Sequence, residues 1–174
     1  MNVTIRRLQS DDAALYRDLR LSSLAEDPTA FLASRREDEA RPMSEWRTRL
    51  GGATDSAVFG AFANDALVGI CGVHRPSRDK VRHRAQIWGM YVAPETRRHG
   101  AGRALLRAAI EHARSIPAVD VVTLSVNCSN LAARSLYIDA GFVPWGIDCD
   151  AFRVDGVAQD EEYMRRTFES RAPH

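Results

Sequence analysis

Arg97-Arg98-His99-Gly100-Ala101-Gly102-Arg103 brings guanidinium groups and glycines together in one short stretch. A helix starting here would attract an anion, because its first turn has unpaired backbone N–H groups and carries the positive end of the macrodipole. Glycines at 100 and 102 let the backbone approach a phosphate with no Cβ in the way. Arg97, Arg98 and Arg103 add charge that can pair with phosphate oxygens. The spacing is neither GxxxxGK[ST] nor GxGxxG, so a Walker loop and a dinucleotide fold are both disfavoured. Taken alone, the stretch also reads as a plain helix start with surface arginines. His74, His83, His99 and His112 show no HxH or HExxH spacing, so no metal is expected.

The elements around this loop predict a strand-to-helix junction. Arg84 to Val92 reads as a strand ended by Pro94. Gly100 to Ala113 reads as a helix, with Leu106, Ala109, Ile110 and Ala113 on one face and Arg103, Arg107, Glu111 and Arg114 on the other. Upstream, Val3 to Leu8 alternates like a strand that begins from Met1 with no basic-then-apolar leader. Ser10-Asp11-Asp12 caps a helix carrying Ala14, Leu15, Leu19 and Leu21, which ends at Glu26-Asp27-Pro28. A polar stretch runs to Arg41-Pro42, and Ser44 caps a short helix through Trp46 and Leu50. Val58 to Ala63 and Leu67 to Val73 flank a tight turn at Asn64-Asp65. Downstream, Val121 to Val126 is a buried-type strand. Ser129 or Asn130 then starts a helix with Ala133, Leu136, Tyr137 and Ala140 on one stripe, ended by Gly141. Asp148 to Val154 and Glu162 to Phe168 read as a terminal hairpin. The order β-α-α-β-β-β-α-β-α-β-β predicts a mixed α/β sheet with helices on its faces.

Composition narrows the class. With 174 residues and no repeat or long linker, one domain over 1–174 is expected. No apolar run approaches the roughly 20 residues that cross a bilayer, so no membrane partner is expected. Cys71, Cys128 and Cys149 are odd in number, are widely spaced and lack CxxC pairing, which suggests reduced thiols and a cytoplasmic setting. Net charge is +1. The basic run from Arg75 to Arg84 has no interleaved aromatic residue, so no nucleic-acid partner is expected.

Two motifs together carry a resemblance. Arg97-x-x-Gly100-x-Gly102 is similar to the Arg/Gln-x-x-Gly-x-Gly/Ala signature of the GNAT superfamily of acyl-CoA N-acyltransferases, and it follows a strand ending Tyr91-Val92-Ala93-Pro94. Asn130-Leu131-Ala132-Ala133-Arg134-Ser135-Leu136-Tyr137 with Gly141-Phe142 resembles the same family's Asn-x-x-Ala-x-x-Leu-Tyr…Gly-Phe pattern. The strand order fits that family over nearly the whole chain.

The resemblance implies a central sheet splayed between Trp88–Val92 and Val121–Val126, with the pantetheine arm of acetyl-CoA in the gap against backbone groups of Met90, Tyr91 and Val92. An N–H near Met90 would meet the thioester oxygen. The pyrophosphate would lie over Arg97, Arg98, His99, Gly100, Ala101, Gly102 and Arg103, and Asn130 would contact the cofactor. Tyr137 would be the catalytic acid, protonating the thiolate that leaves, with an alkaline pH limit from its phenol. The implied activity is acetyl transfer from acetyl-CoA to a primary amine by direct attack, and the alternative is an acyl-CoA-binding module without turnover. The amine must first lose a proton. The strand where several relatives carry a glutamate has no carboxylate here, which leaves Glu37, Glu39, Asp150 or a water chain as unranked bases. The resemblance builds the acceptor site from roughly residues 26–50 and 148–160. There Glu37, Asp38, Glu39, Asp148 and Asp150 would suit a cationic amine, opposed by Arg35, Arg36 and Arg41. The partner is a small-molecule or protein amine, and a homodimer is left open.

Overall fold

The computed structural model describes residues 2–52 and 54–168, so Met1 and the last six residues of the expected domain lie outside it. Strand β1 (Thr4–Arg7) leads into helices α1 (Ala13–Glu26), α2 (Arg35–Glu39) and α3 (Met43–Leu50). Strands β2 (Ser56–Ala63), β3 (Ala66–His74) and β4 (Arg84–Val92) follow. Helix α4 (Ala101–Ser115), β5 (Val121–Asn127), α5 (Leu131–Asp139), β6 (Val143–Val154) and β7 (Val157–Thr167) complete the order. The strands form a mixed sheet in the order β1-β2-β3-β4-β5-β7-β6, parallel between β4 and β5 and antiparallel at the other pairings.

Sequence chemistry explains most of these elements. The β2–β3 turn uses Asn64 and Asp65, both at positive φ (47° and 65°), the conformation that matches the twist of a two-residue hairpin. Helix α4 buries Leu105, Leu106, Ala109, Ile110 and Ala113 on the face that its periodicity predicts. On the other side of the sheet, Tyr16 of α1 meets Trp46 of α3 edge to face, with ring centroids 5.4 Å apart.

Three details depart from the sequence pattern. Helix α2 stands in the expected polar stretch and owes its start to a capping box. The Ser34 side chain accepts from the Glu37 N–H, and Glu37 reaches back to the Ser34 N–H at 2.7 Å. Pro42, not Ser44, precedes α3. The terminal hairpin is longer than expected, with β6 beginning at Val143 and β7 at Val157.

The sheet opens at its centre. Strands β4 and β5 pair only through Arg84↔Val121, Ala85↔Val122 and Gln86↔Thr123. Beyond them β4 runs to Val92 and β5 to Asn127 without mutual pairing. A bulge contributes to this. Ile70 pairs with Tyr91 but Gly72 with Trp88, so Gly89 and Met90 together face Cys71. Gly89 sits at φ +62°, a conformation that glycine adopts without steric cost. The splay implied by the family resemblance is therefore present.

Asp38 of α2 is 1% exposed and lies between two arginines, with Arg20 Nε at 3.1 Å and Arg41 Nε at 2.8 Å. The Arg20 contact ties the short α2 to α1, and the Arg41 contact holds the turn that follows α2. Asp38→Ala leaves the buried Arg20 cation without its partner and is expected to cost about 3–5 kcal/mol in denaturant melts. A loss below about 1 kcal/mol would show that water reaches Arg20.

Candidate functional site

A cleft of about 680 Å³ opens beside the splay, between the end of β4, the start of α4, helix α5 and the turn at Pro28–Ala30. Met90 and Val92 point towards α4. A Cβ placed on Gly102 would meet Met90 Cε at 3.4 Å and Val92 Cγ2 at 3.8 Å. Tyr91 points the other way, towards α1, as alternation along a strand requires.

The start of α4 shows how a short loop exposes a helix terminus. Gly100 takes φ +83°, and its carbonyl accepts the first helical bond, from the Ala104 N–H at 3.0 Å. The N–H groups of Ala101, Gly102 and Arg103 precede that bond and face outward from the helix end. Arg98 and Arg103 are exposed, and among the described residues neither side chain has an ion-pair or hydrogen-bond partner. Arg97 is differently employed. Its Nε donates to the Val92 carbonyl at 2.8 Å and its Nη2 to Glu26 Oε1 at 2.7 Å. Glu26 also accepts from the Tyr91 hydroxyl at 2.6 Å. Burial, and then this bond to Glu26, pushes the Tyr91 phenol above its ordinary value.

Tyr137 of α5 is 6% exposed, packs edge to face on Phe142 at 6.1 Å and lines the cleft. Among the described residues its hydroxyl has no hydrogen-bond partner. Burial, and secondarily the Cys71 thiol, raises its pKa. The Cys71 thiol is itself pushed up to about 12 by burial. Ala133 and Leu136, on the same stripe, are only partly buried because they border the open cleft. Asn130 borders it too, while its Oδ1 caps α5 by accepting from the Ala133 N–H at 3.1 Å.

The structure thus brings Met90, Tyr91, Val92, Arg97, Arg98, Gly100, Gly102, Arg103, Asn130 and Tyr137 to one cleft. His99 and Ala101 do not line it. His99 turns back to the Arg97 carbonyl at 2.8 Å, and Ala101 is buried under the helix end. Three of the five acidic residues singled out for the acceptor have other engagements. Glu37 caps α2, Asp38 is held by Arg20 and Arg41, and Asp150 pairs with Arg153, which holds its carboxyl below the usual range. Glu26 and the buried Glu161 (9% exposed) were not singled out by sequence, since neither lies in a motif.

The acetyltransferase (GNAT) family model matches residues 16–142. The chain belongs to the GNAT family of acetyltransferases. Solved structures agree on the GNAT fold. A GNAT-family acetyltransferase from Streptococcus pneumoniae is similar with a TM-score of 0.86 at 23% identity, covering 96% of this chain and 100% of that one. The yncA protein of Salmonella typhimurium, solved with its cofactor acetyl-CoA, gives a TM-score of 0.80 at 20% identity over 100% and 98% of the two chains. A ribosomal-protein-alanine N-acetyltransferase from Brucella melitensis gives 0.75 at 22% identity over 95% and 99%. No curated protein matches the sequence at a significant level. Among the described residues of this GNAT chain, no helix is long and apolar enough to cross a membrane.

Proposed function

We propose that this GNAT chain transfers an acetyl group from acetyl-CoA to a primary amine by direct attack in a ternary complex. The observation that carries the reading is the convergence of an exposed helix terminus, unpaired strand edges and a tyrosine on one cleft.

The residues present fit acetyl-CoA. The open N-terminus of α4, with Arg98 and Arg103 beside it, suits a pyrophosphate. The β4 edge from Met90 to Val92, turned away from β5, suits the amide groups of a pantetheine arm. When bound, acetyl-CoA supplies the acetyl group as a thioester. The N–H near Met90 would stabilise charge developing on the carbonyl oxygen. The Tyr137 hydroxyl stays protonated because burial raises its pKa, so it serves as a hydrogen-bond donor to the departing sulfur.

The reading is tested by following free thiol release from acetyl-CoA over a panel of small amines, peptide N-termini and lysine peptides. Release with at least one amine class, at a rate well above hydrolysis, is expected. Thermal stabilisation by coenzyme A with no release on any amine would instead mean a binding module without turnover.

A further inference from the structure

We infer that Glu161, acting through the Ser125 hydroxyl, takes the proton from the incoming ammonium. This rests on the amine-acetylation reading above.

Three observations lead there. The first is position. Along β5, Val122, Leu124 and Val126 are buried, so Thr123 and Ser125 face the opposite side of the sheet from them. Ser125 is the second residue past the last β4–β5 pair, so it stands beside the open gap. Its Oγ donates to Glu161 Oε1 of β7 at 3.1 Å. On the same face, Asn127 Nδ2 donates to the Thr29 carbonyl at 3.0 Å, joining this surface to the Pro28–Ala30 turn that borders the cleft. An amine approaching the gap from the face away from α4 therefore meets Ser125, with Glu161 behind it.

The second is charge. Asp38 is held by two arginines, and Glu162 by Arg134 at 2.8 Å. Glu161 is as buried as Glu162, yet no arginine, lysine or histidine of the described residues lies within ion-pair distance of it. A buried carboxylate without a counter-ion is costly, and a cation delivered by a substrate offsets that cost.

The third is the neighbourhood. Asp148 of β6 lies directly across from Glu161, and Tyr163, two residues along β7, faces both. Burial raises the Glu161 carboxyl above its ordinary value, the Ser125 bond opposes this, and the nearby Asp148 charge adds to it.

The proton balance closes. An N–H bond of the ammonium breaks towards Ser125 Oγ while the Ser125 proton passes to Glu161. The freed lone pair on nitrogen forms the bond to the acetyl carbon as the C–S bond breaks, and the electron pair of that bond leaves on sulfur. The second nitrogen proton ends on sulfur, Glu161 releases its proton to water, and one proton is released per turnover.

The test compares kcat/KM against pH for the parent, Glu161→Gln and Ser125→Ala. The parent should rise and level off above the Glu161 pKa. Glu161→Gln should lose on the order of 10²-fold at neutral pH. That loss should shrink as pH approaches about 10, where the amine deprotonates unaided. Ser125→Ala removes the relay, so it should lose a comparable factor at neutral pH, again shrinking as pH approaches about 10. It should also raise the Glu161 midpoint in a carboxyl ¹³C NMR titration, a readout independent of turnover. Coenzyme A should stabilise both variants as it does the parent. A parental profile in Glu161→Gln, or a loss constant with pH, would overturn the inference. If Glu161→Gln does not melt cooperatively, Ser125→Ala decides, and a parental kcat/KM profile in it overturns the inference. A parent that acetylates no amine overturns the underlying reading and this inference with it.

Discussion

Replacing Gly102 with glutamate is expected to abolish the thermal stabilisation that coenzyme A confers, in a protein that still unfolds cooperatively. The first atom of the new side chain would lie 3.4 Å from Met90 Cε and 3.5 Å from Leu136 Cδ2, which is ordinary contact, so the fold tolerates it. The carboxylate then enters the cleft at the start of α4, where it suits the helix dipole and opposes a pyrophosphate. Ligand at a hundredfold excess over Kd stabilises a protein by about 2.7 kcal/mol, or roughly 5–11 °C in Tm at this size. The parent should show that shift, Gly102→Ala most of it, and Gly102→Glu almost none. A Gly102→Glu protein stabilised like the parent would place the phosphate site elsewhere.

The second large effect is expected at Tyr137. Phenylalanine keeps the ring against Phe142 and removes a hydroxyl that has no hydrogen-bond partner among the described residues, so stability should hardly change. A positioned donor at the leaving group is worth about 10²–10⁴ in rate, and a thiolate leaves readily, so kcat of Tyr137→Phe should fall on the order of 10². Coenzyme A should stabilise the variant as it does the parent, because the bond matters once sulfur carries charge. The pH behaviour differs from that of an ordinary phenol. Burial raises the Tyr137 pKa, so the protonated form persists above pH 10 and neither protein should show an alkaline limb from this group at lower pH. A Phe variant with parental kcat, where chemistry limits the rate, would reduce Tyr137 to a packing role.

What was legible in the sequence was local. The α4 stripe, the Asn64-Asp65 turn and the arginine–glycine loop each announce themselves within a few residues, because periodicity, turn chemistry and helix capping are short-range effects. Helix α2 was missed because Arg35-Arg36-Glu37-Asp38-Glu39 has no apolar residue to mark a buried face, and only the Ser34–Glu37 capping box signals it. Asp38 is buried there by charge pairing, which hydropathy does not register. The carboxylates expected at the acceptor come from the segments that the resemblance assigns to it, roughly residues 26–50 and 148–160, which end just short of Glu161. Glu161 meets Ser125, 36 residues away, only through the pairing of β5 with β7. Its burial is a property of the assembled sheet.

The sheet divides into two plates, β1 to β4 and β5 to β6, joined by three rungs at one end. Such a joint works as a seam: stiff where it is stitched, compliant towards the open edge. A chain of amides laid along that edge would stand in for the missing rungs and clamp the plates together. The molecule that donates the acyl group would then also act as mortar, and each round of turnover would set and release the joint between the plates.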